Sequence, residues 1–166
     1  MADVHTPEQR QRNMSRIRGR DTKPELLIRR GLHARGLRYR LQERTLPGRP
    51  DLVFPRYHVA LFVNGCFWHG HHCPMFHLPA TRTEFWRTKI AATQARDARA
   101  QDALIDLGWR VLTVWECALK GPSRQPHDAV IEACYLFVLG NDGNGEISGP
   151  LLARKGLADA LEHPST

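Results

Sequence analysis

The hydrophobic positions of this chain fall into two periods. The strand-like runs are the plainest: His58 to Val63 reads HVALFV and Arg110 to Trp115 reads RVLTVW, both nearly continuous in apolar residues. Short runs of that kind predict strands covered on both faces, which puts HVALFV near the middle of a sheet. Asp51 to Phe54 predicts a shorter strand, separated from HVALFV by a turn at Pro55-Arg56-Tyr57. Tyr39 to Gln42 predicts a first strand, ahead of the turn-rich loop Leu46-Pro47-Gly48-Arg49-Pro50.

Helical signals alternate with these runs. Thr6-Pro7-Glu8-Gln9 and Thr22-Lys23-Pro24-Glu25 each set a Thr cap before a proline, with Gln or Glu three residues after the cap. The first predicts a short basic helix to Arg18, the second a helix through Ala34 with Gly36 near its end. Thr83 to Leu107 predicts a long helix closed by Gly108, and Pro126 to Leu139 a last one. After Gly140 the chain is Gly-rich, with a short helix expected near Leu151 to Leu161. There is no internal repeat. Strands alternating with helices predict the α/β class, a mixed sheet flanked by helices.

One position breaks the pattern. Trp86, Ile90, Asp97 and Leu104 share a stripe of the long helix, so Asp97 sits where apolar residues are expected. An inward carboxylate is costly unless paired. Either the helix is drawn slightly out of register, with Asp97 at the solvent edge, or Asp97 meets a basic partner such as a histidine.

Composition narrows the setting. At 166 residues, 42% hydrophobic and 25% charged, the chain fits one globular domain. A formal charge of +7 favours an anionic partner, nucleic acid before acidic lipid. No apolar run reaches the length of a membrane span, and Met1-Ala2-Asp3 starts no signal peptide, so a cytoplasmic protein with reduced thiols is expected.

The run Cys66-Phe67-Trp68-His69-Gly70-His71-His72-Cys73 then changes the picture, since it holds two cysteines and three histidines within eight residues. With Cys117, the set Cys66, His71, Cys73 and Cys117 supplies three thiolates and one imidazole, the closed tetrahedral complement of a structural zinc. His69 and His72 compete for the imidazole position. The plainer reading, cysteines as small buried hydrophobes, suits Cys134 in its apolar helix.

Hydrolytic chemistry has its own candidates. Asp51 opens a strand, where a carboxylate can hold Mg²⁺ or merely cap the loop. HVALFVNG offers no second acid, so such a metal would take a backbone carbonyl, that of Val63. His69, free of zinc, is a candidate base with Asp97 fixing its tautomer; otherwise it is a surface histidine. The cap explains Glu25 without catalysis. Phe67, Trp68, Phe85 and Trp86 can wedge between base pairs, although aromatics at helical spacing are more often core. Arg10, Arg12, Arg16, Arg18 and Arg20 give the first helix a cationic surface for phosphates. Met14 and Ile17 there can face the core or a groove.

These residues together resemble a known family, the very short patch repair (Vsr) mismatch endonucleases of bacteria. The matching strings are Asn13-Met14, Arg20-Asp21-Thr22, Leu46 to Asp51 (LPGRPD), Gly65 to His69 (GCFWH), Pro79 to Trp86 (PATRTEFW), Gly108 to Leu112 (GWRVL) and Val114 to Cys117 (VWEC). They lie within residues 1 to 120. The resemblance implies a restriction-endonuclease-like fold, a variant of the PD-(D/E)xK core, with one structural Zn²⁺ on Cys66, His71, Cys73 and Cys117. It implies a single domain over residues 1–140, its first 20 residues a DNA-contacting helix, and a tail of unassigned role over 141–166. By position it makes Asp51 the Mg²⁺ ligand, assisted by the Val63 carbonyl. His69 becomes the general base paired with Asp97, and Glu25 lies near the active site. Phe67, Trp68 and Trp86 become the DNA wedge, Met14 and Ile17 reach the opposite groove, and Lys89 reads the mispaired bases. The implied reaction is a Mg²⁺-dependent nick 5′ to the thymine of a T·G mismatch, the product of 5-methylcytosine deamination. The implied partners are mismatched double-stranded DNA bound by a monomer, then mismatch-repair proteins and a DNA polymerase. Three positions depart from the pattern: Asn64 stands for a histidine, Gly70 interrupts the histidine run, and Thr93 replaces an amide side chain.

Two rivals stand beside this reading. A zinc-stabilised module could bind distorted DNA without cutting, but it would not need an inward Asp97. A nuclease of the same fold could have another specificity, and cleavage of T·A and T·G duplexes alike would reveal it.

Overall fold

The computed structural model describes Thr6, Glu8, Gln9 and residues 21–149. Met14, Ile17 and the arginines of the first helix lie outside the described residues, as does the helix expected near Leu151. The start signal at Thr6 is in place: the Thr6 hydroxyl accepts from the Gln9 amide and the Gln9 side chain accepts from the Thr6 amide.

The described elements follow in order. They are α1 (Lys23–Ala34), β1 (Arg40–Leu41), β2 (Leu52–Phe54), β3 (Val59–Asn64), α2 (Thr83–Asp106), β4 (Arg110–Trp115), a 3₁₀ turn (Glu116–Ala118), α3 (His127–Leu139) and β5 (Gly145–Ile147). The five strands form one mixed sheet in the order β1-β2-β3-β4-β5. The β1-β2-β3 pairs are antiparallel, while β3-β4 and β4-β5 are parallel. HVALFV is therefore the middle strand, as its apolar run predicts. The parallel step from β3 to β4 is a crossover that carries the Cys/His run and α2, so those residues emerge at the C-terminal ends of the two central strands.

Alternation along the strands sorts the two faces. Val59 and Leu61 of β3, with Leu112 and Val114 of β4, join Ile28 and Leu32 of α1 and Val130, Cys134 and Val138 of α3 in the main core. Ala60 and Val111 point the other way and pack with Leu104 of α2. Cys134 is fully buried in the main core, as its apolar setting predicts.

The sheet extends beyond the sequence-based boundary at Gly140. β5 comes from the segment read as tail, pairing Leu112 with Gly145 and Val114 with Ile147. The string Gly145-Glu146-Ile147 has one large apolar residue and no alternation long enough to show as a strand. Its edge position supplies the order instead: the Val111 amide donates to the Asn144 side chain, and Gln125 donates to the Ser148 carbonyl.

Candidate active site and metal centre

Asp51 immediately precedes β2, at the same end of the sheet as the C-termini of β3 and β4. Both of its carboxylate oxygens are engaged by the protein: Oδ2 accepts from the Val63 amide at 2.7 Å and Oδ1 from Gln42 Nε2 at 2.9 Å. An N–H and C=O of one strand residue leave the strand on the same side, so the Val63 carbonyl faces the edge where Asp51 lies. Gln42 also donates to Glu25 Oε1 at 3.4 Å, bridging the two acids from a left-handed backbone with φ 49°.

Glu25 is 2% exposed. Its amide donates to the Thr22 hydroxyl, the cap expected from sequence. Its carboxylate reaches past the cap to the Asp21 amide at 2.9 Å and lies 3.6 Å from Arg29. Asp51 feels this company. Burial, above all, pushes its carboxyl from 3.8 up to about 6; the Val63 and Gln42 hydrogen bonds pull it back, Glu25 raises it further and His69 lowers it. A half-buried acid with surplus negative charge beside it, and a backbone carbonyl at hand, suits a hard divalent cation with oxygen ligands.

The inward Asp97 has the partner its position demands. His69 Nδ1 lies 2.6 Å from Asp97 Oδ2. With the Nδ1–H donating to the carboxylate, Nε2 is left as the acceptor of the neutral ring. Asp51, Val63, His69 and Asp97 line one cleft of about 730 Å³, together with Gln42, Asn64 and Thr93 among others. Thr93 turns its hydroxyl back to the Lys89 carbonyl.

The loop that aims His69 is tied at both ends. The His69 amide donates to the Gly65 carbonyl and the His71 amide to the Cys66 carbonyl. Gly70 takes φ 62°, and a Cβ there would meet Gln94 Nε2 at 2.5 Å and Ile90 at 2.6 Å on α2. Close approach to the helix thus accounts for a glycine within the histidine run.

Cys66, His71, Cys73 and Cys117 bring their ligand atoms within 4.8 Å of one another. His71 Nδ1 is 3.6 Å from the sulfurs of both Cys66 and Cys117. Those spacings fit the edges of a tetrahedron whose bonds are about 2.0–2.3 Å, as for zinc. Of the three candidate histidines it is therefore His71 that joins the cysteines, while His69 turns to Asp97. The His71 ring stacks on Trp115 at 4.1 Å with only 8° between planes. A hydrogen bond from Cys66 holds the Cys117 thiol below its usual range, and Cys66 is pushed up by giving it. The Gly149 amide adds a second donor to Cys117 Sγ at 3.4 Å. A sulfur so surrounded is held ready as a thiolate ligand.

Beside this cluster the aromatic residues assemble. Phe67 lies 5.1 Å from Trp68 and 5.3 Å from Trp86, and Trp86 lies 5.3 Å from Phe85. Phe67, Trp68 and Trp86 are only partly buried and Phe85 is 44% exposed. Lys89 Nζ sits within 5.8 Å of the Trp68, Trp86 and Phe85 ring centres. The result is a cationic aromatic ridge, set on the metal loop and the first turns of α2.

Sequence reasoning missed Gln42 and the Gly149 amide. Neither carries a sequence signal: Gln42 ended a predicted strand, and a backbone donor has no side chain to read.

Known proteins share this framework. The sequence profile of the family described as DNA mismatch endonuclease Vsr matches residues 2–75. The chain is 46% identical over 147 residues to the DNA mismatch endonuclease Vsr of Escherichia coli strain K12, across 89% of this chain and 94% of that one. It is 48% identical over 120 residues to the type II nicking enzyme V.XorIIP of Xanthomonas oryzae pv. oryzae, across 72% and 88% of the two chains. It is 40% identical over 120 residues to the type II nicking enzyme V.NmeAIP of Neisseria meningitidis, across 72% and 86%.

Proposed function

The chain belongs to the DNA mismatch endonuclease Vsr family, and from that premise we propose that it nicks one strand 5′ to the thymine of a T·G mismatch, using Mg²⁺ at Asp51. It is a DNA endonuclease, a hydrolase of phosphodiester bonds. The observation that carries the finer reading is the junction of two independent features in one cleft: the half-buried Asp51 and the Nδ1-anchored His69.

In this reading Asp51 and the Val63 carbonyl hold the magnesium ion, with Glu25 beside them. When bound, the ion supplies positive charge to the phosphate and lowers the cost of ionising a water. The chain's own residues handle the proton. His69 Nε2 takes a proton from the attacking water as its oxygen bonds to phosphorus, and the bond from phosphorus to the leaving deoxyribose oxygen breaks. Asp97 keeps the ring in the accepting tautomer and then stabilises the imidazolium. Gln42 and the Val63 amide fix the Asp51 carboxylate.

The Cys/His cluster is read as a structural zinc site, since three thiolates and an imidazole leave no open position. It clamps the loop that presents Phe67, Trp68 and His69. Those rings, with Trp86, wedge into the duplex; a mismatched step opens at lower cost than a paired one, which favours the damaged site. Lys89, standing over the rings, contacts the mispaired bases. Met14 and Ile17 complete the grip from the opposite groove. The mixed five-stranded sheet is read as a restriction-endonuclease-like core acting as a monomer. Among the described residues no helix is long and apolar enough to cross a membrane, and a bacterial cytoplasmic site of action follows from the DNA substrate. Mismatch-repair proteins and a DNA polymerase act downstream.

The test is cleavage of an end-labelled duplex with a central T·G pair in Mg²⁺, with product mapping. A single cut on the thymine strand, 5′ to the mismatch, is expected, with none for Asp51→Ala. Wild-type protein that binds the duplex without cutting it would leave only a binding module. Equal cutting of T·A and T·G would remove mismatch specificity.

A further inference from the structure

The cleft carries two cations that the scheme above leaves unused. Arg49 and Arg96 both line it: Arg49 two residues before Asp51 on the turn-rich loop, Arg96 one residue before Asp97 on α2. Neither has a carboxylate within ion-pair distance among the described residues. That is notable because each is so close in sequence to an acid of the cleft. Arg96 spends one donor on the Thr93 hydroxyl at 3.3 Å and has no other hydrogen-bond acceptor among the described residues.

The placement of Arg49 is enforced. It lies between Gly48 and Pro50 with φ 50°, a left-handed conformation that a residue with a side chain adopts only when its surroundings demand it. Its amide is tied to the Leu46 carbonyl. Gly48, next to it, abuts α2 so closely that a Cβ there would meet Ala100 at 2.8 Å. Ala100 is one helical turn beyond Arg96, on the same face of α2. The loop is thus docked onto the very stretch of helix that carries Arg96 and Asp97, and both arginines line the same cleft. Arg49 is held there at some backbone strain, and with Arg96 it lines a cleft whose proposed substrate is an anion.

We propose that Arg49 and Arg96 are a phosphate clamp, holding the non-bridging oxygens of the phosphodiester that is cut. The planar fork of each guanidinium matches two phosphate oxygens, and two forks on one phosphate fix the phosphorus relative to Asp51 and His69. As negative charge grows on those oxygens during attack by water, both contacts strengthen, which lowers the barrier rather than merely tightening binding. The clamp rests on the cleft being the cutting site, as proposed above.

The experiment uses the full chain with T·G duplexes carrying either ordinary phosphate or one phosphorothioate stereoisomer at the cut position. The variants are Arg49→Gln, Arg49→Lys, Arg96→Gln and Arg96→Lys, with thermal melting to confirm that each is folded. The lysine variants also guard against misfolding, since they keep the charge. At saturating duplex each Gln variant should lose at least about 30-fold in kcat, with Lys recovering part of it. One phosphorothioate isomer should be cut more slowly by wild type, and that stereoselective penalty should shrink in the Gln variant whose contact it shares. Gln variants that keep the wild-type kcat, that lose only in KM, or that keep the full stereoselective penalty overturn the clamp while leaving the cutting site intact. A wild type unable to cut the ordinary duplex would instead overturn the cutting reading and take the clamp with it.

Discussion

Two clusters of ligating side chains sit a few residues apart at the end of β3, and they are built on opposite principles. The Cys66-His71-Cys73-Cys117 cluster is closed: Cys66 and Cys117 are 1% exposed, its donors are soft, and the four ligand atoms already converge on one point. The Asp51 cleft is open to solvent, its donors are oxygen, and its acid is kept in place by the Val63 amide and Gln42 rather than by a ring of further ligands. A closed set can only fix geometry. An open one leaves room for a water and a phosphate. His69 belongs to the loop of the first and lines the cleft of the second, so rigidity made in one cluster reaches the other.

The largest expected effect breaks the first cluster. Cys117→Ser removes a ligand, the sulfur that accepts from Gly149, and a central piece of the satellite core with Cys66 and Trp115. Structural zinc sites contribute folding energy outright. The variant should lose on the order of 5 kcal/mol of stability, the upper range for loss of a metal or disulfide, and bind less than one zinc per chain. Metal analysis beside a urea titration checks both. A variant as stable as wild type, with no zinc in either, would make the four residues ordinary core.

Next comes the tautomer. Asp97→Asn keeps the size of the side chain but can donate to His69 Nδ1, which moves the ring proton to Nε2 and removes the acceptor. A loss of about 10²–10⁴ in kcat follows, the usual worth of a positioned base, with KM and melting temperature nearly unchanged. Comparable losses in kcat and stability would mean that the 2.6 Å contact between His69 and Asp97 is structural.

Asp51 sharpens the contrast because here function and stability oppose each other. Its carboxyl is raised from 3.8 to about 6, so between those values the folded chain holds a proton that the unfolded chain has released. Its contribution to stability is complete below pH 3.8 and is lost as pH rises through about 6. Above that, the ionised group costs at most about 3 kcal/mol, from roughly two pKa units at 1.36 kcal/mol each. In magnesium-free buffer Asp51→Asn should therefore be more stable than wild type at pH 7.5, equally stable near pH 4, and inactive at both. Denaturant melts at the two pH values test it. A variant less stable at pH 7.5 would mean that the hydrogen bonds from Val63 and Gln42 outweigh the burial.

How much of this could be read from the chain depends on the kind of signal. β4 was legible to its ends, because RVLTVW is nearly continuous in apolar residues and lies between Gly108 and a turn. Asp97 was legible as an anomaly on an apolar stripe, and its pairing with His69 is the resolution such an anomaly calls for. The choice of His71 over His69 and His72 rested on the resemblance, because spacing alone allows all three; the loop conformation at Gly70 is what brings His71 to the cysteines. β5 was invisible, since three residues held by neighbours carry no period of their own. Gln42 was invisible for a related reason: its role lies in where its left-handed backbone sends an amide, not in what its neighbours are.

The smallest effect probes where the two clusters touch. Trp115 ends β4, stacks on His71 of the closed set and lies 6.3 Å from the His69 ring. Its Nε1 is buried without a hydrogen-bond partner among the described residues. Leaving such a donor unpaired costs about 1–3 kcal/mol, and truncating the indole to a phenyl ring gives up packing of similar size. Trp115→Phe should therefore change stability by less than about 1 kcal/mol. The phenyl ring can still stack on His71, so zinc content should not move, whereas the face shared with His69 is thinned. If the closed cluster alone sets the loop, kcat should stay within a factor of about three of wild type, less than 1 kcal/mol of barrier. A tenfold fall in kcat with zinc and stability intact would show instead that the indole carries rigidity from one cluster to the other, and that the two are coupled through β4 as well as through the loop.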